Sequence, residues 1–189
     1  MRLHFASCAY PGARHAPGLT LVELLVTLAI VALLVTLAVP SFQPLLERWR
    51  VKHSVGALTD TLRLARSEAI KRGGNVAIQK LTPQADGCTL AATPANWSCG
   101  WRVFVDHDAS DSYSAGDELL QLVQIPTGIM VRHSSNAATI AVDRWGKMDG
   151  LSAKSFVVAP LPAGTASPAT RILCISSGGR IHDEEGAAC

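Results

Sequence analysis

The segment GLTLVELLVTLAIVALLVTLAVPSF, from Gly18 to Phe42, constrains this chain more than any other feature. From Leu19 to Val39 it contains no Lys, Arg, Asp or Asn. About 21 residues at about 1.5 Å rise reach about 31 Å, the thickness of a hydrocarbon core. The segment is longer than the apolar region of an ordinary cleaved signal, and its glycine precedes the run instead of following it. Its one carboxylate, Glu23, is costly in hydrocarbon unless a partner neutralises it, so it is read as functional. A carboxylate that snorkels to the interface is the bland alternative.

The chain has 189 residues, so what remains outside this segment suffices for one modest globular head. Lys and Arg number 17 against 15 Asp and Glu, a balance that excludes a strongly basic nucleic-acid binder and leaves only local basic surface. Arg2, His4, Arg14 and His15 flank the apolar run on its N-terminal side and place that side in the cytoplasm by the positive-inside tendency. Of five cysteines, Cys8 lies on that side. Cys88, Cys99, Cys174 and Cys189 lie beyond the run, an even set suited to an oxidising periplasm. Pairing Cys88 with Cys99 and Cys174 with Cys189 closes two short loops and is the expected connectivity. Buried free thiols are the alternative, and no CxxC or HxxxH spacing favours zinc.

Pro40 and Pro44 each remove a backbone donor, which predicts a kink or a melted turn. Helical periodicity then resumes through Leu45, Trp49, Val55, Leu58, Leu62, Ala65 and Ala69, and Gly73-Gly74 ends it. From Asn75 onward the pattern is VAIQKL, GWRVFVD, ELLQLVQI, GIMVRHS, TIAVDRW, SFVVAP and RILCIS, separated by turn-forming residues. One long helix followed by seven short strands predicts an α+β fold, the helix packed on a small antiparallel β head. The connections LTPQADG, HDASDSYSAGD and LPAGTASPAT read as surface loops.

The N-terminal pattern carries a resemblance. Gly18, Leu19, Thr20, Leu21 and Glu23, followed by the long apolar run and Pro40, resemble the class III signal of type IV pilins and type II secretion pseudopilins. ARSEAIKRGGNVAI, GWRVFVDHDASDSYSAGDELLQ and ILCISSGGRIH resemble the GspH/FimT group of minor pilins and pseudopilins. The resemblance implies a leader at 1–18, a transmembrane and filament-core helix at 19–39, its amphipathic continuation at 40–73 and a periplasmic β-rich head at 74–189. It implies cleavage between Gly18 and Leu19 by a prepilin peptidase, N-methylation of Leu19, and an assembly contact between Glu23 and the Leu19 amine of a neighbouring or the same subunit. Implied partners are the prepilin peptidase, other pilins or pseudopilins and the inner membrane. The function implied is that of a structural or priming subunit.

The alternative is a DNA receptor for transformation, because FimT-like minor pilins bind double-stranded DNA through a C-terminal GRxR motif. Here the tail reads GGRIHDEE, so His182 replaces the second arginine and Asp183, Glu184 and Glu185 follow. Arg180, Arg171 and Lys154 are the residues to test for DNA contact. Trp101 and Trp145 are read as packing residues of β-runs, with base stacking as the alternative. Asp106, Asp108, Ser110 and Asp117 match positions of a calcium-loop template, but Asp111 replaces its turn glycine and Asp117 its bidentate glutamate. The stretch is therefore read as a solvated loop, with no metal or cofactor expected. No GxSxG, HExxH or paired-acid pattern supports an enzyme, and a single histidine such as His133 is read as a surface or satisfied core residue.

Overall fold

The computed structural model describes residues 18, 20–83, 88, 92–148, 153–176 and 179–189, without the side chains of 37–41. Leu19 and residues 1–17, with Cys8, lie outside them. Helix α1 spans Leu21–Arg72. It is followed by β1 (Val76–Lys80), β2 (Trp101–Val105), β3 (Glu118–Val123), β4 (Ile129–His133), β5 (Thr139–Val142), β6 (Lys154–Pro160), β7 (Arg171–Ile175) and β8 (Ile181–Glu185). The chain divides into two compact units, Met1–Phe42 and Gln43–Cys189.

In the first unit Thr20 starts the helix: its hydroxyl accepts a bond from the Glu23 amide at 3.2 Å, and its carbonyl accepts one from the Leu24 amide. This is N-capping by a residue type suited to it, and Glu23 falls in the first turn, where the helix dipole favours an anion. The apolar side chains from Leu21 to Val35 are exposed on every side. A helix that is apolar all round needs a lipid or protein environment that the chain itself does not supply. Among the described residues no helix is long and apolar enough to cross a membrane. The described side chains of the apolar run stop at Thr36, and its remainder lies outside them. Helical backbone continues through Pro40 and Pro44, so the melted turn expected there is not formed. Each proline removes one donor, and the turns around it keep theirs.

In the second unit the helix buries Val51, Val55, Leu58, Leu62, Ala65 and Ala69 against both sheets. Leu45 and Trp49, placed by periodicity in the same stripe, are instead 62% and 64% exposed. At 100° per residue Trp49 falls about 160°, 120° and 180° from Val51, Val55 and Leu58, and Leu45 about 120°, 80° and 140°, so their phase is wrong for the core. One sheet has the order β3-β2-β1-β5 and the other β4-β6-β7-β8, with antiparallel neighbours throughout. Ile78, Val103 and Ile140 of the first sheet and Val131, Phe156 and Leu173 of the second join the helix in one core. Trp101 is fully buried, and its Nε1 donates to the Thr61 hydroxyl at 2.9 Å, which satisfies the indole inside the core. The architecture is thus α+β, with α1 packed on antiparallel sheets.

Two elements differ from the sequence expectation. The tail IHDEE forms an eighth strand, β8, paired with β7 from Arg171 opposite Glu185 to Ile175 opposite Ile181. Its exposed acids give the sheet a charged edge, a composition that discourages pairing with other chains. β5 ends at Val142, so Trp145 stands on a turn and not on a strand.

Candidate functional site

Three regions carry the residues that sequence singles out. At the helix start, Gly18 is exposed and a Cβ there would meet nothing within 4 Å. The Glu23 side chain is exposed and makes no ion pair among the described residues. A carboxylate with no cation partner among the described residues, set among exposed Leu and Val, calls for one from elsewhere.

The second region is the tail. Disulfides join Cys88 to Cys99 and Cys174 to Cys189, with Cα–Cα distances of 5.6 and 6.0 Å. The register places Lys154 opposite Ile175, at the end of β7 where the turn to Arg180 begins, and Arg171 at the other end of β7, opposite Val158. Lys154 and Arg180 therefore share one end of the sheet, and Arg171 does not join them. Arg171 is also occupied: its Nη2 and Nε donate to Asp183 at 2.7 and 3.0 Å, and its Nη1 lies 3.6 Å from Glu185. The acids that follow Arg180 in sequence neutralise Arg171 across the strand pair. His182 lies 3.4 Å from Glu184 on the other face.

A basic patch that the sequence did not reveal lies where two turns meet α1. Asp143 folds the first turn by accepting the Trp145 and Lys147 amides, each at 2.8 Å. A Cβ on Gly146 would lie 2.6 Å from Arg66 Cγ, and one on Gly179 would lie 2.7 Å from Arg66 Nη1. Both glycines have positive φ, so they combine a left-handed turn with close approach to one arginine. Arg66 Nη1 also donates to the Gly179 carbonyl at 3.1 Å. Arg66 thereby brings together the turns that carry Arg144, Trp145, Lys147 and Arg180, and Arg144 and Lys147 also line a recess with Asp106, Asp111 and Asp143. Trp145 is 74% exposed there, which corrects its reading as a packing residue. The sequence signal was the D-x-x-G spacing of Asp143 and Gly146, a turn that breaks the run TIAVDRW.

The third region is the acidic loop. Asp106, Asp108 and Asp117 bring their carboxylate atoms within 4.8 Å of one another. Backbone amides hold them: Ser110 and Asp111 donate to Asp106, Ser110 to Asp108, and His107 and Ser114 to Asp117. Hydrogen bonding from Ser110 lowers the Asp108 carboxyl below its usual range, and the His107 amide, followed by Ser114, does the same for Asp117. Asp111 takes a left-handed φ of 55° in place of a glycine. The amide donors to these three carboxylates belong to the loop's own backbone, and Gln79 Nε2 from β1 adds a bond to the Ser112 hydroxyl.

Comparison with known proteins agrees with this arrangement. Residues 54–179 match the family described as Type II transport protein GspH. The chain belongs to that family. Residues 14–39 of this GspH-family chain match the prokaryotic N-terminal methylation motif. Over 162 residues it is 30% identical to the pilin-like protein PilA1 of Thermus thermophilus, covering 86% of this chain and 87% of the relative. Two crystal structures of the type IV minor pilin FimU from Pseudomonas aeruginosa share its fold at 22% identity. Their TM-scores are 0.53 and 0.56, covering 70% and 72% of this chain and 91% and 90% of theirs. The chain is thus a type IV pilin-like protein of the GspH/FimT group, with the α+β pilin fold.

Proposed function

We propose that this chain is a minor pilin or pseudopilin that acts by assembly, as a structural or priming subunit of a type IV pilus or type II secretion pseudopilus. The precursor sits in the inner membrane through 19–39 with its head in the periplasm. Prepilin peptidase cuts between Gly18 and Leu19, and the new Leu19 amine is methylated. The observation that carries the reading is the first turn of α1: Glu23, with no ion pair among the described residues, set among exposed apolar side chains on a helix capped by Thr20. In the filament the cationic Leu19 amine of a neighbouring subunit neutralises that carboxylate and fixes axial register. Two variants test this. Gly18→Leu should leave an uncut precursor on an immunoblot. Glu23→Val should be cut normally yet be missing from sheared filaments, and normal incorporation of Glu23→Val would refute the assembly role.

A second reading, a receptor for double-stranded DNA, is favoured by the patch around Arg66. Arg144, Lys147 and Arg180 supply phosphate contacts there and exposed Trp145 an aromatic face. Arg171, bound to Asp183, contributes little, and Lys154 stands at the same sheet end as Arg180. Arg180→Ala with Lys147→Ala should lower DNA affinity and transformation while pili persist; unchanged uptake excludes this role.

A further inference from the structure

No Lys or Arg occurs between Arg14 and Arg48; then Arg48, Arg50 and Lys52 follow in quick succession. At four-residue spacing Arg48 and Lys52 share one flank of α1, whereas Arg50 projects elsewhere. Within the second unit, Arg48 and Lys52 line a cavity of about 280 Å³ together with Pro168, Thr170, Arg171 and Glu185. Among the described residues neither Arg48 nor Lys52 makes an ion pair. Arg171 is fixed by Asp183, and Glu185, with a side chain 85% exposed, reaches Arg171 only at 3.6 Å. Two cations with no ion pair among the described residues therefore line a recess whose lining acid, Glu185, is largely exposed, while the neighbouring Asp183 is engaged by Arg171. The same helical segment exposes Leu45, Leu46 and Trp49, and Trp49 stacks on His53 at 5.4 Å. An indole, exposed leucines and long cationic side chains just beyond an apolar run match the chemistry of a membrane–water interface.

We propose that the Arg48–Lys52 cavity is a phosphate site that takes the headgroup of an anionic phospholipid and seats the head on the membrane surface before the subunit enters a filament. Arg48 offers a planar fork of donors and Lys52 a point charge, a pair suited to a phosphodiester. Its place at the first cationic turn after the apolar run, beside exposed Trp49, favours a lipid phosphate over a free one. The proposal rests on the membrane-anchored reading above. Removing both cations should weaken binding about 30-fold, at about 5.4-fold for each.

The test uses the full chain in detergent, titrated with phosphatidylglycerol or phosphatidylcholine and followed by native mass spectrometry. Phosphatidylglycerol should bind saturably and phosphatidylcholine should not. R48Q/K52Q should lose about 30-fold, R50Q should stay within about twofold, and E185Q should bind more tightly. An equal loss in R50Q, or none in R48Q/K52Q, overturns the site. Saturable binding of phosphatidylcholine overturns the role of headgroup charge, and displacement of the lipid by equimolar inorganic phosphate overturns the lipid assignment. Undiminished lipid binding by R48Q/K52Q with lost filament incorporation would assign the cavity to an acidic neighbouring subunit instead. Carbonate extraction of cell membranes separates the two readings. Release of the wild-type chain refutes anchoring, whereas retention of R48Q/K52Q alongside lost lipid binding keeps the anchor and supports the site.

Discussion

Acidification from pH 7 to pH 4.5 should destabilise the second unit through one side chain, His133. The ring is 1% exposed and lies parallel to Phe156 at 4.5 Å, with Trp97 tilted against it at 5.7 Å. Burial, and secondarily the charge of Lys154, lowers its pKa from 6.5 to about 4, while a backbone interaction with Ala137 works the other way. The unfolded chain takes up a proton near pH 6.5, and the folded chain refuses it until about pH 4. Between those values the unfolded state binds more protons, so stability falls as pH drops. The full difference corresponds to about 3 kcal/mol, a large share of a typical domain's stability. Glu68 and Glu118, whose pKa values are lowered chiefly by hydrogen bonds from Arg72, begin to give up stability only as pH falls to the ordinary carboxylate value of 4.5, so they enter at the acid edge of this window. Urea melts of Gln43–Cys189 at half-unit pH steps read the slope, and the same melts on His133→Phe and His133→Leu isolate the ring. Both variants should be less sensitive to pH between 6.5 and 4.5. A wild-type stability that stays flat over that interval, or variants that keep the wild-type slope, would refute the reasoning.

Two further perturbations test the packing. Gly100 has φ +102°, and a Cβ there would run into the Val123 carbonyl oxygen, so Gly100→Ala should cost more than about 2 kcal/mol and lower the thermal midpoint. Removing the Cys174–Cys189 bridge, which spans a sequence separation of 15, should cost about 3 kcal/mol and speed amide exchange in β8 first. Exchange that accelerates uniformly over the core would show that the bridge does not act locally on the tail.

By itself the sequence determined the features whose physics is local. An apolar run of spanning length with one acid, a Gly-Gly helix stop and short β-prone runs fix the long helix, the antiparallel head and the N-terminal motif, since each depends on neighbours in the chain. Tertiary structure decided what depends on phase and register. A four-residue step puts Leu45 and Trp49 on one face of α1, but only the placement of the sheets showed that the covered face is the one carrying Leu58. The polar tail IHDEE lacks the alternation of a strand, and pairing with β7, not side-chain burial, makes it one. That register sets Asp183 and Glu185 against Arg171, removing one cation from the tail, while Arg66 draws Arg144, Trp145, Lys147 and Arg180 together from turns far apart in sequence. The charge a residue presents is written in the chain, but whether that charge is free depends on which residue the fold places opposite it.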